Sequence, residues 1–184
     1  MPHARCETSS WEPLFVKIVK AIFAGGIVPN GSVVDCGANT GGEACLYADL
    51  APNRLIHAVE PLQGHIDFMQ HKYGDRKNII ALHGALGSTE HTVQIALQKG
   101  SKMIHGTAMA HSVANGTKQT GTRFRVHRVD TLFGPGGLWA TEHLAFGHFD
   151  VEGAEADLLR GAIATIRRDR PIFSMETTLQ TGQE

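Results

Sequence analysis

Three groups of residues in this sequence have the types and spacing to do chemistry. Asp35 follows the apolar run Ser32-Val33-Val34 and precedes Cys36-Gly37-Ala38-Asn39-Thr40-Gly41-Gly42. Glu60 closes a second apolar run, Leu55-Ile56-His57-Ala58-Val59, and is followed by Pro61. In the third group, His148-Phe149-Asp150-Val151-Glu152-Gly153-Ala154-Glu155, an apolar run again meets acids. A residue at the carboxyl end of a strand, ahead of a turn and a helix, faces the crevice where open α/β sheets bind ligands. Glycines there let backbone approach the ligand, and a carboxylate accepts hydrogen bonds from its amino or hydroxyl groups. Asp35 suits a ligand that presents an amino group better than one that leads with a pyrophosphate.

The spacing separates two classes of cofactor. A dinucleotide site wants G-x-G-x-x-G with phosphates on the helix N–H groups. Here Asn39 takes the second glycine's place, and Asp35 stands two residues before the first. The stretch instead resembles D-x-G-x-N-x-G, the first motif of S-adenosylmethionine-dependent methyltransferases with a Rossmann-like fold. Glu60 lies about 20 residues downstream, where an acidic residue can bind both hydroxyls of a ribose. The two motifs together make a strong signal, and each sits on a strand.

The elements that must position these residues follow from periodicity. Ser9-Ser10-Trp11-Glu12 reads as a capping box with Pro13 in the first turn, and Leu14, Ile18 and Ile22 continue as a helix that Gly25-Gly26 stop. Glu43 to Leu50 is the first crossover helix. A second helix carries Leu62, Ile66, Met69 and Tyr73 at helical spacing. Asn78 to His83 forms a third strand leading into Gly84-Ala85-Leu86-Gly87, where small residues would let an adenine ring lie against backbone. Thr92 to Leu97 and Thr122 to Val129 read as extra strands. Between them the polar stretch Gln98 to Gly121 is a candidate substrate lid or a surface loop. Asp130 begins a short helix broken at Gly134. A strand then runs into Asp150, the following helix carries Leu158, Leu159, Ala162, Ile163 and Ile166, and Pro171 to Glu176 is a fifth parallel-type strand.

Length and composition bound the rest. The 184 residues make one domain, with an N-terminal helical segment at 1–30 and a cofactor-binding core at 31–176. With 17 basic and 18 acidic residues, no charge excess announces a nucleic-acid partner. No apolar run approaches the roughly 18 residues that would span a bilayer, and the N-terminus lacks the apolar centre of a signal peptide. The expected environment is therefore cytoplasmic and reducing, with no membrane partner. Cys6, Cys36 and Cys45 are an odd number without a zinc-type spacing. The 11 histidines include no H-E-x-x-H pair, and no metal is expected.

Beyond the first motif, the chain resembles the FkbM-type methyltransferases. The family's D-x-G-A-N-x-G turn is matched from Asp35 to Gly41, its E-P by Glu60-Pro61 and its A-L-G by Ala85-Leu86-Gly87. Its D-V-E-G-A-E stretch is matched residue for residue from Asp150 to Glu155, followed by Leu159-Arg160-Gly161-Ala162 and Arg170-Pro171-Ile172. The resemblance runs through 30–176 in unbroken motif order. It implies the Rossmann-like class I methyltransferase fold, an α/β architecture with a mainly parallel, doubly wound sheet. It implies S-adenosylmethionine as cofactor and O-methylation of a hydroxylated small molecule, often a sugar. The cofactor-binding residues would be Asp35, Gly37, Ala38, Asn39, Gly41, Glu60, Pro61, Ala85 and Leu86. Two departures stand out: His148 replaces a common lysine, and only Thr177 to Glu184 follow the fifth strand. The fold is therefore expected to lack its C-terminal sixth and seventh strands. That loss would leave an exposed sheet edge open to homo-oligomerisation, and a chain that is a poor enzyme by itself.

The methyl group of a sulfonium is already activated, so the protein's main task is to orient a hydroxyl in line with it. Asp150 and His148 are the candidate catalytic bases; an unperturbed imidazole, with a pKa of about 6.5, suits that work. Two other classes compete. One is a binding module that holds the cofactor without reacting; the other is a nucleotide-dependent oxidoreductase, disfavoured by Asn39 and Asp35.

Overall fold

The computed structural model describes Cys6 and residues 13–94 and 123–175. The chain opens with helix α1 (Pro13–Ala24), strand β1 (Ser32–Cys36) and helix α2 (Gly42–Leu50). It continues through β2 (Ile56–Glu60), α3 (Gln63–Tyr73), β3 (Ile79–Leu86) and β4 (His91–Gln94). After β5 (Arg123–His127) come α4 (Val129–Leu132), β6 (Leu144–Phe149), α5 (Glu155–Arg160), α6 (Ile163–Asp169) and β7 (Ile172–Met175). One seven-stranded sheet runs in the order β4-β5-β3-β2-β1-β6-β7, and only β4 is antiparallel to its neighbour. The order reverses beside β1, so the crevice at its carboxyl end is the topological switch point of the sheet.

The expected loss of two strands is not borne out. The sheet has seven strands, and β4 and β5 complete the count beside β3, at the edge opposite β7. A count of the residues after the fifth parallel strand misses these two strands, because they join the sheet at its other edge. Along β5 exposed and buried residues alternate, with Phe124 and Val126 buried, so one face packs and the other meets solvent.

Apolar side chains cover both faces of the central strands, as a parallel sheet requires. On one face Val19, Ala44, Tyr47, Ile66, Met69 and Tyr73 from α1, α2 and α3 pack on Val33 and Phe146. On the other, Val129, Leu132, Phe133, Trp139, Leu158 and Ala162 pack on Val34 and Phe149. The single helix expected after Asp150 is two helices, divided at Gly161. A Cβ there would lie 2.0 Å from the Gly87 carbonyl oxygen, so only glycine allows α5 to end against the β3 turn.

Cys6 and Cys45 form a disulfide, and Cys36 is free and buried. A persistent disulfide favours an oxidising environment. The sequence reading paired none of the three cysteines. No helix of the described residues is long and apolar enough to cross a membrane. The capping box at Ser9 to Glu12, the stretch Gln98 to Gly121 and the segment Thr177 to Glu184 lie outside the described residues.

Candidate functional site

The site is built on backbone first. Strand β1 ends at Cys36 and the chain turns through Gly37, whose φ of 85° belongs to the left-handed region. A Cβ on Gly37 would lie 1.8 Å from the Asp150 carbonyl oxygen, so this glycine lets the ends of β1 and β6 touch. The Asp150 N–H donates to the Cys36 carbonyl at 3.0 Å on the same seam. Gly37 and Ala38 donate to the Val59 carbonyl at 3.0 and 3.2 Å, tying the turn to β2. Asn39, at φ 49°, and Gly41, at φ 80°, complete the turn, with the Gly41 N–H on the Ala38 carbonyl at 2.7 Å. Helix α2 starts immediately after.

Two carboxylates meet at this turn in different states. Glu60 is well supplied with donors: the Asn39 N–H reaches Oε2 at 2.9 Å and the Leu62 N–H reaches Oε1 at 2.9 Å. His65 Nδ1 stands 3.3 Å from the same Oε1. Asp35 is buried and under-supplied. The Ala44 backbone N–H hydrogen-bonds to it, but Oδ2 has no hydrogen-bond partner. Burial holds the Asp35 carboxyl well above the usual carboxylate range, and the charges of Glu43, Asp150 and Glu60 push it further up. Four carboxylates therefore converge on the carboxyl ends of β1, β2 and β6.

The remaining walls come from β3 and β6. Ala85 and Leu86 close β3, and the Gly87 N–H donates to the His127 carbonyl at 2.9 Å. Asp157 of α5 accepts from the Ser88 N–H at 3.0 Å and the Ser88 hydroxyl at 2.7 Å, pinning the turn after β3 onto the helix. Beside Pro61, His83 Nε2 lies 3.0 Å from the Pro61 carbonyl oxygen, so the β2 turn is fixed to β3. After β6 the chain turns through Glu152 and Gly153, at φ 55° and 95°. Glu155 folds back over that turn, its Oε1 accepting from the Val151 and Gly153 N–H groups at 3.1 and 3.2 Å.

His148 and Asp150 share a strand end but not a setting. The His148 ring packs 4.9 Å from Phe15 of α1 and 6.1 Å from Tyr47 of α2. Burial pulls its pKa down to about 4, so the imidazole is neutral at physiological pH. Asp150 sits at the seam with Gly37, within electrostatic reach of Asp35. Cys36, beside Asp35 in sequence, has its thiol pushed up by burial and is inert as a nucleophile at neutral pH.

Sequence reasoning passed over Glu43, His65 and His83. Glu43 in the first turn of α2 adds charge to Asp35, and the signal for it was its place directly after the glycine turn. His65 and His83 flank Glu60 and Pro61 from α3 and β3. A histidine in the first turn after an E-P pair could have marked the first; the second needs the register Glu60↔His83 to be seen. Among the described residues, one group of potential metal ligands lies close enough to share an ion: Cys6, Cys45 and Asp49. Two of its three ligand atoms are joined in the disulfide.

The Methyltransferase FkbM domain family matches residues 35–184, from the first site carboxylate to the end of the chain. No curated protein matches the sequence. Among solved structures, precorrin-6y C5,15-methyltransferase from Geobacter metallireducens GS-15 is similar at 13% identity, over 98% of this chain and 70% of that one. Its TM-score of 0.47 makes the likeness too loose to bear on function.

Proposed function

The chain belongs to the FkbM methyltransferase domain family, and from that premise we propose that it is an S-adenosylmethionine-dependent O-methyltransferase acting on a hydroxyl of a sugar or another small molecule. One observation carries the choice of cofactor: Asp35 is buried with an unpartnered oxygen, among Glu43, Asp150 and Glu60. Such a site is short of positive charge. S-adenosylmethionine brings two cationic groups, an ammonium and a sulfonium, whereas a dinucleotide would bring a pyrophosphate into a ring of carboxylates.

When bound, the cofactor supplies an electrophilic methyl group on sulfur. The chain's own residues do the rest. Gly37, Ala38, Asn39 and Gly41 give the backbone room for close approach, and Asp35 answers the cofactor's positive end. Glu60 holds the ribose hydroxyls. Pro61, Ala85 and Leu86 line the place for the adenine. Asp150 accepts the proton of the acceptor hydroxyl, a role that contributes about 10²–10⁴-fold where the base is well placed. Positioning of the hydroxyl contributes the larger part, up to roughly 7–11 kcal/mol at the ideal limit. His148 enters this scheme as a neutral wall rather than as the base, because its ring is held between Phe15 and Tyr47. The reading of a cofactor-binding module without catalysis rested on missing strands, and the seven-stranded sheet removes that motive.

The test is calorimetric titration of the purified chain with S-adenosylmethionine, S-adenosylhomocysteine and NAD, followed by radiolabelled methyl transfer to pooled hydroxylated acceptors. Binding of the two adenosyl sulfur compounds but not NAD, with label appearing in methyl ethers, is the expected result. NAD binding alone would overturn the reading.

A further inference from the structure

We propose that Cys6, Cys45 and Asp49 form a metal site that opens when their disulfide is reduced, suited to a borderline-soft divalent cation such as zinc. Cys45 and Asp49 stand four residues apart on α2, so they share one face of that helix. Cys6 comes to the same place from the start of the chain and is bonded to Cys45, 39 residues away. That separation is why the cysteines show no zinc-type spacing in the sequence. One sulfur from each cysteine and a carboxylate oxygen of Asp49 lie within 4.8 Å of one another. Two thiolates and a carboxylate are a ligand set that zinc accepts, with ligand atoms roughly 3.5–4 Å apart around the ion.

Two further observations point to a cation. Asp49 Oδ2 lies 3.1 Å from Cys6 Sγ, and a disulfide sulfur has no proton to donate to it. A carboxylate oxygen set against sulfur gains a favourable partner when the sulfur carries a proton or when a cation lies between them. The other oxygen, Oδ1, accepts from Arg76 Nη1, whose side chain is buried. Arg76 thereby fixes the carboxylate as outer hydrogen bonds fix metal ligands, with Oδ2 left facing the sulfur. Charge balances as well: a divalent ion, two thiolates, Asp49 and Arg76 are neutral together. Asp49 is exposed and Cys45 is fully buried, so the ion has a way in from solvent and an anchor in the core. A dithiol reductant opens the site. It gives two electrons and two protons to the Cys6–Cys45 bond, which becomes two thiols, and closes to its own disulfide. The entering cation then displaces both thiol protons to solvent.

The experiment takes the full chain, oxidised and after reduction with a phosphine that is then removed, and titrates each with zinc and with cobalt under argon. Reduced protein should bind one zinc per chain, release protons on binding, and give with cobalt a near-ultraviolet thiolate charge-transfer band. Oxidised protein should show none of these. Asp49→Asn, which keeps both cysteines, should weaken zinc binding to the reduced protein at least about tenfold. Cys6→Ser should lose the zinc and most of the band. Zinc held equally by both redox forms, without the thiolate band, would be binding by surface histidines and would overturn the proposal. Reduced protein that takes up no zinc, folded or unfolded, would overturn it too, and unchanged affinity in Asp49→Asn would overturn the three-ligand site. None of these results touches the cofactor reading.

Discussion

The acids of this protein fall into two regions that behave in opposite ways. At the carboxyl ends of β1, β2 and β6, Asp35 is buried with an empty acceptor position and its pKa is raised. Around α4, α5 and α6, every carboxylate of note is met by donors. Asp130 accepts from the Thr165 N–H at 2.8 Å, the Thr165 hydroxyl at 2.9 Å and the Ala164 N–H at 3.2 Å, so it caps α6 from another helix. Asp157 holds Ser88 and is pulled below the usual range by those two hydrogen bonds. Asp169 accepts from the Leu144 N–H at 2.9 Å, with His143 and Arg168 beside it at 2.7 Å, and sits at about 2. The second region uses charge to hold the fold. In the first, Asp35 is left short of donors, and the cost of ionising it there is what a cationic ligand would relieve.

The largest effect that could break the comparison lies at Glu60. Glu60→Ala removes the acceptor proposed for both ribose hydroxyls, each charge-assisted hydrogen bond worth about 1.5–3 kcal/mol. S-adenosylhomocysteine affinity should fall at least about 100-fold. Retained affinity in titration would remove Glu60 from the site. Asp169→Ala should do the reverse, costing about 1–3 kcal/mol of stability by leaving the Leu144 N–H without its acceptor, with cofactor affinity unchanged. Chemical denaturation beside the same titration separates the two. The wild-type contribution of Asp169 should also be present above pH 4 and fade as pH falls through about 2, because its folded pKa is depressed.

Asp35→Asn sharpens the contrast, since stability and binding should move apart. An acid whose folded pKa is raised makes the fold less stable as pH rises through that value. The amide removes this penalty, so the free protein should melt higher at neutral pH while binding S-adenosylmethionine more weakly. A lower melting temperature would mean that Asp35 is a structural acid after all.

The smallest effect concerns His148. Its folded pKa is about 4, so the folded state resists protonation that the unfolded chain accepts near 6.5. Stability should be full above about pH 6.5 and decline as pH falls toward about 4. His57, lowered chiefly by burial and stacked on Trp139, pulls the same way. His148→Phe should flatten part of that decline in thermal melts, and an identical slope would exclude His148 as a contributor.

The cofactor turn was legible in the sequence because it is local. An apolar run, Asp35, the glycines and a helix lie within a dozen residues or so, and each constrains the next through backbone geometry alone. Glu60 and Asp150 were legible for the same reason, each ending its own strand. What stayed hidden depends on pairs far apart in the chain. The Cys6–Cys45 disulfide, the Asp157 to Ser88 contact and the return of β5 beside β3 are long-range partnerships with no periodic signature. The strand count failed there: β4 and β5 were seen as extra strands, but nothing local said which edge they would join.

The most direct test of the central claim, that the under-satisfied Asp35 awaits a cation, is the proton balance of binding. Titrations of S-adenosylmethionine in buffers of different ionisation enthalpy, at several pH values between 5 and 8, report protons exchanged with each ligand bound. A cation entering beside Asp35 favours its charged form, so binding should release protons into the buffer, and Asp35→Asn should abolish that release and weaken binding about tenfold. Binding without proton release, with equal affinity in wild type and Asp35→Asn, would contradict the account.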